Sequence, residues 1–294
     1  MAGTEDDPAR VAGDPPPARV LGPTDLGAAA ALVAASGWNQ VDADWRIFLE
    51  LGHVVGVDLP GAGVVATAAT LPLGRELGWV SMMIVAAPFR RQGLARHLLG
   101  RCILDLAAQG LVPGLDATAA GRELYLGYDF LDACAITRWR RVRGASPAPA
   151  PANGLEVRRA GAADLDAIAA LDRAAFGFER RAVLARLLER APGRAALALR
   201  GGEPCGFLLA RDGREALQLG PLVATDPRAP AALVGAQAPG EAIVDVLDRH
   251  QDFGGWLAAS GFAPQRRFTR MLYRRDELPG DARLALAIAG PELG

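Results

Sequence analysis

The chain alternates between short apolar runs and longer amphipathic stretches. Apolar side chains recur every three to four residues over 26–36, 44–51 and 91–109, which predicts helices there. The runs 63–71 and 79–85 are dominated by apolar and β-branched residues, which predicts strands. Several strands follow one another before the next helix begins. This order predicts an α/β (α+β) fold in which helices flank a mixed, mostly antiparallel sheet.

The same order of elements occurs twice along the chain. The sequence PTDL at 23–26 opens a helical pattern, as AADL does at 162–165. The strand patterns 77–85 and 216–224 are separated by the same number of residues as these two helix starts. A shared spacing over this length indicates an internal repeat, with two copies of one fold in tandem.

A segment rich in proline and alanine separates the two copies. Residues 142–153 cannot form a packed element and predict an extended linker. The sequence therefore predicts an N-terminal domain over 18–141 and a C-terminal domain over 154–294. Residues 1–17 are acidic and rich in proline, which is typical of a disordered tail.

The segment 90–96 (RRQGLAR) is the clearest candidate for chemistry, because it joins an apolar strand pattern to an amphipathic helix. Gly93 has no Cβ and permits close approach of a ligand or of another backbone segment. The first amides of a helix have no partner within it, and the helix dipole favours an anion at that end. With three arginines in the same segment, the sequence predicts a pyrophosphate site.

The pattern Arg90-x-x-Gly93-x-Ala95 resembles the signature of the GNAT (GCN5-related N-acetyltransferase) superfamily. The resemblance covers 20–294. Over this range the chain is similar to bacterial tandem GNAT proteins with a YitH-type C-terminal acetyltransferase domain. It implies two tandem GNAT folds, with acetyl-coenzyme A (acetyl-CoA) held as co-substrate by the first copy. The implied acetyl-CoA contacts are Met83, Ile84, Val85, Arg90, Arg91, Gln92, Gly93, Leu94, Ala95 and Arg96.

A second segment contains Leu124 and Tyr125, followed by Phe130. It is similar to a segment of the family in which a tyrosine lies beside the thioester sulfur. The resemblance implies that Tyr125 is the general acid that protonates the leaving thiolate. Two alternatives stay open: Tyr125 only packs, or Tyr128 takes this role. Asp129 stands where the family has glycine, and aspartate tolerates a left-handed backbone better than most residues.

The second copy lacks these features. The position matching Gly93 is Ala232, and the helix start carries Asp226 and Pro230 instead of open amides. The position matching Tyr125 is Leu257. The sequence therefore predicts a degenerate cofactor site in the C-terminal domain, which would serve packing, substrate recognition or dimerisation.

The candidates for contacts to the acceptor substrate are Trp38, Asn39 and Ser81. For Trp38 and Asn39, helix capping or core packing is the alternative. Ser81 and Glu76 are the groups that we expect to pass a proton from the acceptor through water.

Two charged clusters are open to more than one interpretation. The acidic cluster at 245–252 suggests a metal site, but a solvated or capping role is favoured, with a polar role facing the first domain's pocket as the alternative. The arginines between 266 and 275 are predicted to alternate across an exposed strand, with binding of an acidic substrate as the alternative.

Composition limits the partners. The net charge of −1 provides no electrostatic footprint for nucleic acid. No apolar run reaches the roughly 18 residues of a membrane span, and the first residues lack the pattern of a signal peptide. The 3 cysteines are far apart and form no zinc-binding spacing. We expect a cytoplasmic protein without metal, nucleic acid or membrane partner; a homodimer stays open.

Together these features predict an acetyl-CoA-dependent N-acetyltransferase that acts on a small primary amine through a ternary complex, with the chemistry in the N-terminal domain. Two other functions stay open. One is a non-catalytic acyl-CoA sensor or assembly module. The other is a protein N-acetyltransferase, which would need an open acceptor groove.

Overall fold

The structure, a computed structural model, describes residues 15–141, 154–237 and 240–294. The predicted linker 142–153 and residues 1–14 of the predicted tail lie outside the described residues. The strands are β1 (Arg19–Val20), β2 (His53–Leu59), β3 (Gly63–Leu73), β4 (Leu77–Val85), β5 (Val112–Thr118), β6 (Phe130–Arg141), β7 (Glu156–Arg159), β8 (Ala195–Arg200), β9 (Glu203–Arg211), β10 (Leu217–Ala224), β11 (Ala242–Leu247), β12 (Phe262–Tyr273) and β13 (Ala285–Ala287). The helices are α1 (Leu26–Ala35), α2 (Asp42–Leu51), α3 (Leu94–Ala107), α4 (Ala119–Leu126), α5 (Leu165–Phe176), α6 (Arg181–Arg190), α7 (Ala229–Gln237) and α8 (Gln251–Ala259).

The strands form one continuous 13-stranded sheet in the order β1-β2-β3-β4-β5-β12-β6-β11-β13-β10-β9-β8-β7. Most neighbours run antiparallel, and the parallel contacts are β4 with β5 and β10 with β11. Helices flank this sheet. The predicted fold class, a mixed and mostly antiparallel sheet flanked by helices in two tandem copies, is confirmed.

The two halves exchange their long last strands at the centre of the sheet. Strand β12 of the second half lies between β5 and β6 of the first half, and β6 in turn lies against β11. The prediction that the arginines between 266 and 275 lie on an exposed strand is wrong for Arg270, whereas Arg266, Arg267, Arg274 and Arg275 are exposed. Arg270 is only 2% exposed, because its guanidinium pairs with Asp116 and lies over the Trp79 ring.

Two buried ion pairs span the exchanged strands. Arg138 on β6 donates to both carboxylate oxygens of Asp245 on β11, at 2.7 and 2.8 Å. Arg270 on β12 donates to both oxygens of Asp116 on β5, at 2.8 Å each. Each pair joins one half to the other. Because bidentate pairs have a fixed geometry, they favour this strand register over its neighbours.

The halves also share a core. One apolar cluster joins α1 and α2 of the first half with α5 and α6 of the second, and its largest buried side chains include Trp45, Phe48 and Trp79. Separate clusters pack α3 and α4 against the first half of the sheet and α7 and α8 against the second. The shared cluster means that neither half closes its core alone.

The internal repeat is visible in matching contacts. Arg19 pairs with Asp25, whose carboxylate also accepts from the Gly22 amide. In the second half, Arg158 pairs with Asp164, whose carboxylate accepts from the Gly161 amide. The same residue types at the same spacing make the same contacts before the first helix of each half.

Candidate functional site

Strands β4 and β5 separate along part of their length. They pair in parallel where Leu77, Gly78 and Trp79 meet Val112, Pro113 and Gly114. Beyond this point a cavity of about 90 Å³ lies between residues 80–83 of β4 and residues 115–118 of β5. Split parallel strands expose their backbone groups at the carboxyl end of the sheet, where α/β proteins bind ligands.

A bulge in β4 marks the cavity wall. The pairing of β3 with β4 is irregular between Thr67 and Ala69, and Met82 has a φ of 51°, in the left-handed region. The Thr67 hydroxyl donates to the Met82 carbonyl oxygen at 2.9 Å. Left-handed backbone at a large unbranched residue is strained and concentrates at functional sites. The strand Met83–Val85, predicted to contact acetyl-CoA, continues from this bulge.

The predicted phosphate loop forms the start of α3. Gly93 is the N-cap residue with a φ of 81°, and Arg91 has a φ of 61°. The helix begins at Leu94 and not at 91 as the periodicity predicted, because these left-handed residues interrupt it. Left-handed residues that alternate with right-handed ones turn successive amides toward one point, which makes a concave site for an anion.

The side chains around this loop leave it open. Arg91 and Arg96 are exposed, and their guanidinium groups have no hydrogen-bonding or ionic partner among the residues that the structure describes. Arg90 donates from Nε to the Val85 carbonyl oxygen at 3.0 Å, and Gln92 donates to the Pro88 carbonyl oxygen at 3.2 Å. The loop therefore fits a pyrophosphate, with two free guanidinium groups beside it.

Glycine is required at position 93 by the backbone angle, and not by a lack of space for a side chain. A Cβ at this position would meet no heavy atom of the described residues within 4 Å. Its positive φ nevertheless favours glycine. The same open space is where a bound phosphate would approach the backbone.

Tyr125 of α4 lines the cavity between the separated strands. Its side chain is buried and packs edge-on against Phe130, with ring centroids 6.0 Å apart. Burial raises the pKa of Tyr125 to about 12, with a smaller contribution from Cys102. Tyr128 is the weaker alternative, because its hydroxyl donates to the Arg96 carbonyl oxygen at 3.3 Å.

The turn after Tyr125 has the predicted left-handed residue. Asp129 has a φ of 62°, and its carboxylate accepts from Arg274 of the second half at 2.7 and 3.0 Å. Aspartate thus takes the position where the family has glycine.

The structure separates the predicted acceptor residues. Trp38 and Ser81 line the cavity. The prediction for Asn39 is corrected. Its side chain makes hydrogen bonds to the backbone of Glu215 and Ala216, directly before β10, and so holds the two halves together instead of lining the cavity. The predicted role of Glu76 in passing a proton from the acceptor is also corrected. Glu76 is exposed and lines a different cavity, on the other side of the paired end of β4.

The second half builds part of the same cavity, which the sequence did not reveal. Strand β12 and the segment 290–294 reach across to the separated strands of the first half. The lining residues are Trp38, Gln40, Val80, Ser81, Met82, Met83, Leu115, Asp116, Thr118, Tyr125, Arg138, Arg266, Phe268, Pro291 and Glu292.

The lining has two carboxylates, Asp116, which is paired with Arg270, and Glu292, which takes part in a second buried network. Glu292 accepts from Arg211, and from Gln40 Nε2 at 2.8 Å. Arg211 also donates to Asp44 at 3.1 Å. Burial raises the pKa of Glu292, while Arg211 lowers it and Asp44 raises it further. A carboxylate in this setting holds a proton more readily than one in water.

The corresponding cleft of the second half is filled by the chain itself. Strands β10 and β11 pair in parallel over Leu217–Leu219, as β4 and β5 do in the first half. Beyond this point β13 lies between them, where Ala287 pairs with Leu222 on one side and with Val246 on the other. The second half therefore has no open gap between these strands in the part of the chain that the structure describes.

The helix start of the second half is also closed to anions. Asp226 precedes α7, pairs with Arg200 and accepts from the Arg228 amide at 2.9 Å. A carboxylate thus occupies the place that a phosphate would take. The degenerate cofactor site of the C-terminal half stays a prediction.

The acidic cluster at 245–252 has structural contacts. Asp245 holds Arg138 and accepts from Gln218 at 3.0 Å, and the His250 ring lies 2.8 Å from the Ala285 carbonyl oxygen. Within the described ranges, no group of three or more His, Cys, Asp or Glu side chains is placed to hold a metal ion. No helix of those ranges is long and apolar enough to cross a membrane.

A protein-family model described as "Acetyltransferase (GNAT) domain" matches residues 168–285. Residues 168–285, which lie in the second half, therefore match a GNAT acetyltransferase domain. No curated protein matches the sequence.

Solved structures extend the similarity to nearly the whole chain. A putative acetyltransferase from Pyrococcus horikoshii has a TM-score of 0.77 at 18% identity, covering 97% of this chain and 98% of its own. A GCN5-related N-acetyltransferase from Sphaerobacter thermophilus has a TM-score of 0.62 at 20% identity, covering 90% and 96%. A tandem GNAT protein from the clavulanic acid biosynthesis pathway has a TM-score of 0.61 at 16% identity, covering 87% and 97%. At these identities the comparison establishes the fold, which is a tandem GNAT arrangement.

Proposed function

We propose that the protein is an acetyl-CoA-dependent N-acetyltransferase that acts on a small primary amine, with its chemistry in the N-terminal half. One observation supports this most strongly. The first half has separated strands and a left-handed loop at the start of α3, whereas β13 fills the same gap in the second half. We also propose that the second half is of the YitH type, which its resemblance to that type in the segments LGPLVA at 219–224 and FTRM at 268–271 supports.

The residues at the cavity suit acetyl transfer within a ternary complex. The amides around Gly93 would hold the pyrophosphate, and the bulged strand at Met82 and Met83 would align the thioester. The amine nitrogen then forms a bond to the acetyl carbon, and the carbon–sulfur bond breaks with its electron pair on sulfur. Tyr125 gives its hydroxyl proton to that sulfur and is reprotonated from water.

The amine must also lose a proton, and Glu292 is our candidate to receive it. Its carboxylate lines the cavity, and the pKa raised by burial makes it a better base than a solvated glutamate. This assignment replaces Glu76, which lies outside the cavity.

The size of the cavity favours a small acceptor over a protein chain. Its volume is about 90 Å³, and residues Pro291 and Glu292 of the second half close one side of it. A polypeptide acceptor needs a groove open along its length, so the protein N-acetyltransferase alternative is disfavoured.

An assay of coenzyme A release over a panel of small amines tests this proposal. We expect release with wild type, and a loss of about 100-fold or more in kcat for Tyr125→Phe with unchanged acetyl-CoA affinity. Tyr128→Phe is the matched control and should keep its kcat, because that hydroxyl bonds the backbone of α3. Acetyl-CoA binding without release on any amine would instead identify a sensor.

A further inference from the structure

Two oxygen atoms in the cavity lack the hydrogen bonds that buried polar groups normally make. Gln40 Oε1 and Ser81 Oγ are both buried without a partner among the described residues, and both side chains are 8% exposed. Both residues line the cavity beside Tyr125. Unsatisfied buried oxygens of this kind are costly, and a bound donor would relieve them.

The orientation of the Gln40 amide is fixed by its neighbour. Its Nε2 donates to Glu292 Oε2 at 2.8 Å, and the carboxylate of Glu292, which is also paired with Arg211, accepts in its ionised form. Oε1 therefore remains the free atom, and it is an acceptor. Gln40 Oε1, Ser81 Oγ and the carboxylate of Glu292 thus belong to three residues that line one cavity.

An ammonium group matches three such oxygens best. It presents three N–H donors and a positive charge, whereas a hydroxyl presents one donor and no charge. The carboxylate of Glu292 adds a charge-assisted bond, which is the stronger kind. The three oxygens thus mark where the amine of the acceptor binds before it loses its proton.

Arg266 indicates the other end of the ligand. The arginines of this region that are buried, Arg138 and Arg270, are both neutralised by aspartates. Arg266 also lines the cavity, is exposed, and has no ion-pair partner in the part of the chain that the structure describes. It pairs directly with Arg138 across β12 and β6, and because Asp245 neutralises Arg138, the uncompensated positive charge at this place belongs to Arg266.

We propose that the acceptor is a small amino acid, in which the amine and a carboxylate are carried by one molecule. Gln40, Ser81 and Glu292 bind the ammonium group, and the Arg266 guanidinium binds the carboxylate. This inference rests on the proposed function, because it takes the cavity as the acceptor site. It gives the second half a defined task, since Arg266 and Glu292 both come from it.

Matched pairs of acceptors that differ only by a carboxylate test the proposal. We would measure kcat/KM for glycine against methylamine, β-alanine against ethylamine, and γ-aminobutyrate against propylamine. Wild type should prefer the acid in at least one pair by on the order of tenfold to a hundredfold, as expected for a hydrogen bond between charged groups. Arg266→Gln should remove that preference.

Arg267→Gln is the matched control. Arg267 is an exposed neighbour on β12 that does not line the cavity, so this variant should keep the preference. A wild type that uses the plain amines equally well overturns the inference while the acetyltransferase function stands. An equal loss on both members of each pair in Arg266→Gln also overturns it.

Binding separates the inference from the proposed function. If no amine releases coenzyme A, calorimetry of glycine, β-alanine and γ-aminobutyrate with the acetyl-CoA-saturated protein decides the question. Binding that Arg266→Gln weakens tenfold or more, and Arg267→Gln does not, would support the amino-acid site without turnover. Absence of binding by all three would contradict it.

Discussion

At the scale of single residues, the site depends on backbone angles that the sequence revealed only in part. Gly93 and Asp129 were recognised because glycine, and less often aspartate, tolerates a positive φ, and both have one. The left-handed angles at Arg91 and Met82 were not predictable, because neither residue type favours that region. Nothing in the local sequence marks a position where tertiary contacts impose strain.

The same limit applies to side chains. The sequence marked Tyr125, Trp38 and Ser81, which the structure brings to one cavity. It missed Gln40 and Glu292, because a single polar residue in an apolar context has no periodic signal. Their partners are far apart along the chain, so only the folded structure shows that they meet.

The buried phenol of Tyr125 gives a prediction about pH. Its pKa is raised from 10.0 to about 12, mainly by burial, so the protonated form is favoured in the folded state. The associated stability is fully present below pH 10 and is lost as the pH rises through about 12, by about 2–3 kcal/mol in the free energy of unfolding. At ordinary assay pH the hydroxyl therefore stays a proton donor.

Ultraviolet absorbance of phenolate during an alkaline titration checks this prediction. The difference between wild type and Tyr125→Phe should appear with a midpoint near pH 12. A difference that is complete by about pH 10 would mean that the hydroxyl is solvated, and would argue against a buried acid.

At the scale of elements, helices and strands followed from periodicity, but their partners did not. The predicted strand at 79–85 corresponds to β4, and the predicted helix at 91–109 to α3, with small differences at their ends. The exchange of β6 and β12 was invisible, because pairing between distant strands leaves no local pattern. For the same reason the arginine-rich sequence of β12 suggested an exposed strand. Asp116, the buried partner of Arg270, lies 154 residues away along the chain.

The exchange can be tested through the Arg270–Asp116 pair. Asp116→Ala leaves a buried guanidinium without its partner, which we expect to lower the free energy of unfolding by about 3–5 kcal/mol. Asp132→Ala is the control, because it breaks the exposed pair with Arg122 and should cost about 1 kcal/mol or less. Urea unfolding of both variants measures the difference. Equal losses would mean that the buried pair does not hold the exchanged strands together.

At the scale of the whole molecule, the two copies of one fold differ in the gap between their parallel strands. The first half keeps the open strands and the loop, and the second half closes its own gap with β13 while lending Arg266, Phe268, Pro291 and Glu292 to the cavity. The sequence predicted the degenerate second site from the missing glycine. It could not predict that β13 lies in the gap between β10 and β11, because a run of 3 apolar residues does not show which strands it pairs with.

The central claim is that acetyl-CoA binds once, at the first half. Isothermal titration should give one acetyl-CoA per chain for wild type. Gly93→Trp should abolish this binding while the protein stays folded, because the side chain would fill the space above the loop. Gly235→Trp, in α7 of the second half, is the matched control and should leave binding intact, because a side chain there also meets open space. Two acetyl-CoA molecules per chain, or unchanged affinity in Gly93→Trp, would contradict the account.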